Sequence, residues 1–93
     1  MNETQLKVKV LKWLKAEYPK GFFYKTSDKF TAGIPDIICG IRGRFVAIEL
    51  KAPGGKATKL QLYAMKKIAA AGGLVMICNS LEDVQDTLRR ALV

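Results

Sequence analysis

Gly33-Ile34-Pro35-Asp36-Ile37-Ile38-Cys39-Gly40-Ile41-Arg42-Gly43-Arg44-Phe45-Val46-Ala47-Ile48-Glu49-Leu50-Lys51 is the stretch on which the reading of this chain turns. It holds two apolar runs, expected as strands over Ile34 to Ile41 and Arg44 to Lys51. Between them, Arg42-Gly43 puts glycine at the second position of a two-residue hairpin loop, where a positive φ is required. With that pair as the loop, Ile41 faces Arg44 and Asp36 falls opposite Glu49. Directly opposed residues share a face, with Cβ atoms roughly 4.5–5.5 Å apart. Lys51 lies two residues past Glu49 and shares that face too. The other face carries Ile37, Cys39, Ile41, Val46, Ile48 and Leu50, which is a core. Ile38, Phe45 and Ala47 accompany the charged group, so the sheet is expected to be covered on both sides. A longer loop would shift the register and dissolve the pairing.

Two carboxylates held side by side repel, and one of them titrates high unless something compensates. Lys51 offsets part of the repulsion. A divalent cation offsets more, and hard oxygen ligands without histidine suit Mg²⁺ or Mn²⁺. The competing reading is a surface Glu–Lys pair beside an unrelated turn acid.

Working outward, residues 2 to 18 read as a helix. Asn2 caps it with Gln5 three places on, and Leu6, Val10, Trp13, Leu14 and Tyr18 follow at helical spacing. Pro19-Lys20-Gly21 stops it. Glu3 extends the apolar face of this helix and not its lysine face; it is also where a first-turn acid complements the helix dipole. Residues 22–27 are rich in β-formers and read as a strand, and Ser27 to Gly33 as a loop. Thr58 to Ala71 is a second helix. Thr58-Lys59-Leu60-Gln61 fits a capping box at its start. Gly72-Gly73 ends that helix. Leu74 to Cys78 is wholly apolar, as in a strand buried on both faces. Ser80 and Asp83 open a last helix carrying Leu81, Val84, Leu88 and Leu92. The order αβββαβα describes one mixed α/β domain over residues 1–93.

Composition bounds the function classes. The 93 residues carry 16 Lys plus Arg against 8 Asp plus Glu, a net charge of +8. That balance suits a polyanionic partner such as nucleic acid. Lys25, Lys29, Arg42, Arg44, Lys56 and Lys59 fall on expected loops and strand ends, where they would track a phosphate backbone. No recognition helix or base-reading cluster stands out. The chain has no histidine, and its two cysteines, Cys39 and Cys78, sit inside apolar runs. Zinc sites and histidine catalysis are therefore not expected. No run approaches the ~20 apolar residues of a membrane span, and nothing resembles a signal peptide, so a soluble, reducing, cytoplasmic setting is expected. Gly54-Gly55-Lys56 is not a phosphate-binding loop. With Lys56 as its lysine, that motif needs glycine at position 50 and Ser or Thr at 57, where the chain has Leu50 and Ala57. No nucleotide cofactor is expected.

At Pro35-Asp36 and Glu49-Leu50-Lys51 the sequence resembles the PD-(D/E)xK nuclease superfamily. It is most similar to the VRR-NUC family, through Gly33-Ile34-Pro35-Asp36, Ile48-Glu49-Leu50-Lys51, Gln61, Ala71-Gly72-Gly73 and residues 79–83. The resemblance implies a restriction-endonuclease-like αβββαβ core with a mixed central sheet and an extra C-terminal helix. It implies a Mg²⁺- or Mn²⁺-dependent DNA endonuclease selective for branched DNA, such as four-way junctions or flaps. It further implies a homodimer or higher homo-oligomer in a bacterial or phage-infected cytoplasm, with Phe22, Phe23, Trp13 and Tyr63 as candidate interface residues. By the same resemblance Asp36, Glu49, Glu3 and the Leu50 carbonyl would be metal ligands. Lys51 would activate water and stabilise phosphate charge, and Gln61 would assist. The alternative is a non-catalytic nucleic-acid-binding domain that keeps the fold and the basic surface.

Overall fold

The computed structural model describes residues 1–27 and 32–92. Lys29 and most of the expected loop over 27–33 lie outside that range. The elements are α1 (Glu3–Glu17), β1 (Phe22–Lys25), β2 (Ile37–Ile41), β3 (Arg44–Leu50), α2 (Lys59–Ala70), β4 (Leu74–Cys78) and α3 (Leu81–Ala91). The order is the expected one. The strands are shorter than the apolar runs, because Pro35 and Asp36 precede the ladder instead of joining it.

Local signals account for the helix starts. Asn2 and Gln5 form a capping box at α1, and Thr58 and Gln61 form another at α2. Ser80 accepts from the Asp83 backbone N–H to open α3. Each cap satisfies amides that a helix cannot pair internally.

The four strands form one sheet in the order β1-β2-β3-β4. β1, β2 and β3 are antiparallel, and β4 runs parallel to β3 after the α2 crossover. The hairpin has the expected register: Ile41 pairs with Arg44 and Ile37 with Ile48. Arg42 and Gly43 have φ of +51° and +78°. Positive φ at both loop positions is the turn whose twist matches a two-residue hairpin.

Ile37, Cys39, Ile41, Val46, Ile48 and Leu50 face one side with Met76 and Cys78. Against them pack Leu6, Val10 and Leu14 of α1 and Val84 and Leu88 of α3, all buried. Trp13 is only half-buried, standing edge-on to Tyr18 at 5.9 Å between ring centroids.

The second face departs from expectation. It is covered only in part, and β4 is an edge strand whose Val75 and Ile77 are half-buried and exposed. One helix about 10 Å wide cannot blanket four strands spaced about 4.8 Å apart. α2 shields Ala47 and Glu49, while Phe22, Tyr24 and Phe45 stay exposed. Of the expected interface residues, Phe22 and Tyr63 are exposed, whereas Phe23 packs partly buried against the core.

Gly33 fixes how α2 meets the hairpin. Its φ is +85°, and a Cβ there would lie 2.4 Å from the Leu60 carbonyl oxygen. Gly43 also has positive φ, but nothing lies within 4 Å of its would-be Cβ. Gly43→Ala should therefore cost only the left-handed strain, about 1 kcal/mol. Gly33→Ala adds a backbone clash and should cost at least about 2 kcal/mol more by urea denaturation. Equal costs would mean that the close approach to α2 is not real.

Candidate functional site

Four segments converge where β2 begins and β3 ends. The first is the bend at Asp36, which precedes β2. Thr26, just past β1, holds it: the Thr26 N–H donates to the Asp36 carbonyl at 2.9 Å. The Thr26 hydroxyl donates to the Pro35 carbonyl at 2.6 Å. This clamp keeps Asp36 across from the end of β3 although the strand pairing stops one residue short. The Asp36 carboxylate then closes the gap itself, its Oδ2 accepting the Leu50 N–H at 2.8 Å.

The second segment is the end of β3. Glu49 points to the α2 side of the sheet and is only 2 % exposed. Its Oε2 accepts from Gln61 Nε2 at 2.8 Å and lies 3.3 Å from Lys51 Nζ. Its Oε1 is buried with no hydrogen-bond partner among the described residues. Burial raises the Glu49 pKa and the Asp36 charge raises it further, while Lys51 pulls it back; the result is about 6 against an ordinary 4.5. Lys51 is itself mostly buried beside Glu49.

The third segment is the first turn of α2. Gln61 fills two roles. Its Oε1 accepts the Thr58 N–H at 2.8 Å while its Nε2 serves Glu49. One side chain thus starts the helix and ties it to the buried carboxylate.

The fourth segment is α1. Glu3 reaches the site's margin, where its Oε1 accepts the Ala52 N–H at 3.3 Å. Lys7, one turn further on, places Nζ 3.0 Å from Asp36 Oδ1. Neither Lys7 nor Thr26 was singled out from the sequence. Lys7 carries a signal, its i+4 spacing from Glu3, but residue type alone does not separate it from Lys9, Lys12 and Lys15 of the same helix. Thr26 carries none, because its role depends on how β1 lies against the Pro35 bend. Arg42 and Arg44 stand at the turn, the opposite end of the hairpin from Asp36 and Glu49. Arg42 lies 5.3 Å from the Tyr18 ring centroid and donates to the Leu92 carbonyl at 3.2 Å. Lys25, Lys56 and Lys59 are exposed nearer the charged group.

The donor set fits a hard divalent cation better than any soft metal. It offers two neighbouring carboxylates, no thiolate and no imidazole. Glu49 Oε1 is a buried acceptor without a donor, the kind of atom a cation would satisfy. Among the described residues no three acidic or thiol side chains cluster as a ready cage. Glu3 in particular is engaged with Ala52. Cys39 and Cys78 are free and buried, with thiol pKa values pushed by desolvation to about 12 and about 11. They belong to the core.

Compared by sequence, the chain matches no family model and no curated protein. Compared by structure, it resembles a solved "VRR_NUC domain protein" with a TM-score of 0.78 and 19% identity, over 96% of this chain and 86% of that one. A second solved structure, a "VRR_NUC domain", aligns with a TM-score of 0.71 and 24% identity, over 92% of this chain and 96% of that one. The fold is thus the one that the sequence resemblance implied.

The Glu49 environment makes a stability prediction. A carboxyl whose pKa is raised on folding favours the fold below its unfolded value. That contribution fades as pH rises from about 4.5 to about 6. Glu49→Gln removes the titration and keeps the shape. In EDTA, its stability relative to the parent should be higher at pH 7.5 than at pH 4 by about 2 kcal/mol. A pH-independent difference in urea midpoints would refute the assignment of a strained carboxylate.

Proposed function

We propose that this chain is a metal-dependent DNA endonuclease of the VRR-NUC kind, and that Asp36, Glu49, Lys51 and Gln61 form its catalytic site. The observation that carries the proposal is the Asp36–Glu49 pair, with Glu49 Oε1 left unpartnered in a buried position. It lies on a fold shared with two VRR_NUC domains. Asp36, Glu49 and the Leu50 carbonyl would hold Mg²⁺ or Mn²⁺, with Glu3 at the margin. When bound, the cation would supply Lewis acidity to a phosphodiester and lower the pKa of a water.

The chain's own residues do the rest. Lys51 holds an ammonium against Glu49 Oε2, where it stabilises charge developing on a phosphate oxygen. Gln61 fixes the rotamer of Glu49 through the other hydrogen bond to that oxygen. The Leu50 N–H pins Asp36 Oδ2, while Oδ1 meets the Lys7 ammonium. Thr26 prevents the Asp36 segment from drifting off the sheet. Lys25, Lys56 and Lys59 follow the backbone near the cut, giving binding that weakens steeply with salt. Arg42 and Arg44 would reach DNA only where it extends along the hairpin.

The preferred substrate in this reading is branched DNA, met by two copies of the chain in a bacterial or phage-infected cytoplasm. We place the contact between copies on the open sheet face at Phe22, Tyr24 and Phe45, which presents uncharged surface on a chain of net charge +8. A contiguous exposed apolar patch commonly marks an interaction site. Sedimentation at micromolar concentration should give twice the 10.3 kDa chain mass. Phe22→Glu together with Tyr24→Glu should shift it to the monomer, and a parent that sediments as a monomer overturns the pairing.

Cleavage of four-way junction, flap, single-stranded and duplex DNA with Mn²⁺ tests the activity. Branched substrates should be cut fastest. Asp36→Asn and Lys51→Met should each slow cutting at least about a hundredfold, the scale of losing one charge-stabilising group. Undiminished cutting in either variant would reject the site. Binding without cutting by the parent would favour the non-catalytic alternative.

A further inference from the structure

Among the described residues, Lys7 is the one polar contact to Asp36 that the catalytic reading leaves without a role. Its ammonium lies 3.0 Å from Asp36 Oδ1, and its side chain is only 23% exposed. The other Asp36 oxygen is fixed by the Leu50 N–H. Both oxygens are therefore engaged. Glu49 differs, because Lys51 and Gln61 share its Oε2 and leave Oε1 bare. The pair thus has one open acceptor on Glu49 and, on Asp36, an acceptor closed by an ammonium.

We propose that Lys7 is a resident counter-cation, a positioning residue that occupies the Asp36 oxygen a divalent ion would most readily take and that turns to the substrate phosphate once displaced. This rests on the metal-dependent reading above. Asp36 Oδ1 is the oxygen that the β3 backbone leaves free of an amide donor, so it would be the readier ligand for an ion held by Asp36 and Glu49. Ammonium and divalent cation cannot share that oxygen at close range, because like charges there repel strongly in a poorly screened setting. Lys7 is suited to leaving. Its four-carbon stem is flexible and its head is readily hydrated, and α1 holds it at the rim of the site. Displaced, it stays tethered within reach of whatever anion approaches Asp36. Metal and DNA then assist each other. The phosphate gives Lys7 a new partner, which lowers the cost of moving it, and by linkage each ligand tightens the other.

The test is Mn²⁺ binding by the DNA-free protein, read from the electron paramagnetic resonance signal of free Mn²⁺. Lys7→Met should bind Mn²⁺ about tenfold more tightly than the parent, the effect of removing one nearby charge at partial exposure. Lys7→Arg keeps the charge and should match the parent. Lys12→Met lowers the net charge equally on an exposed part of α1, and should change affinity by less than about twofold at physiological salt. A structural defect weakens metal binding, so the expected gain has no structural explanation. Lys7→Gln carries the same expectation where the methionine variant does not fold. Adding a four-way junction in Ca²⁺-free buffer with Asp36→Asn as the blank should tighten Mn²⁺ binding in the parent and much less in Lys7→Met. Affinity unchanged or reduced in Lys7→Met and Lys7→Gln, with binding still abolished by Asp36→Asn, overturns the inference and spares the metal site. No Mn²⁺ binding by the parent or any variant overturns both.

Discussion

A carboxylate at 2 % exposure, answered on only one of its two oxygens, sets the terms for this small protein. Burying an ionised group is costly unless it is paired and hydrogen-bonded. Glu49 receives a charge from Lys51 and a hydrogen bond from Gln61, both on the same oxygen. Each donor comes with a structural commitment. Lys51 must leave β3 in the direction of the site, and Gln61 requires α2 to begin at Thr58. Gly33 must lack a side chain so that the helix start can approach the hairpin. The apolar face beneath holds the platform steady, with Ile48 and Leu50 buried on either side of Glu49 in sequence. On the proposed metal-dependent reading, that bare oxygen is where a cation would be met.

Much of this was legible in the sequence, for local reasons. Arg42-Gly43 sets the register because a two-residue loop with two positive φ values admits one pairing. From that register the Asp36–Glu49 opposition follows, and so does the division of the hairpin into a core face and a site face. The caps at Asn2, Thr58 and Ser80 were readable because each involves residues three apart. The cap role of Gln61 is readable locally, whereas its contact with Glu49 is implied only by the family resemblance, since that distance depends on how a helix docks on a sheet.

The misread features are all matters of docking. β4 is apolar throughout, and its pattern does not reveal that one side meets a core and the other is half open. Nor does alternation along β1 and β2 reveal how far across the sheet one covering helix extends. Lys7 is chemically indistinguishable from the lysines around it until α1 is laid against the bend at Asp36. The pattern of a segment reports its own periodicity, while the identity of the opposing surface is a property of the assembled chain.

The Thr58–Gln61 capping box makes winding of the helix and assembly of the site a single event. Helix ends open and close on their own, at a free energy well below that of global unfolding. When the first turn of α2 unwinds, Gln61 loses the Thr58 amide and Glu49 loses a donor in the same motion. The buried carboxylate is then exposed to water and loses the hydrogen bond that sets its orientation. Amide exchange at the start of α2 is therefore a clock for how often the Gln61–Glu49 contact comes apart. A ligand that engages Glu49 would slow that clock without touching the helix.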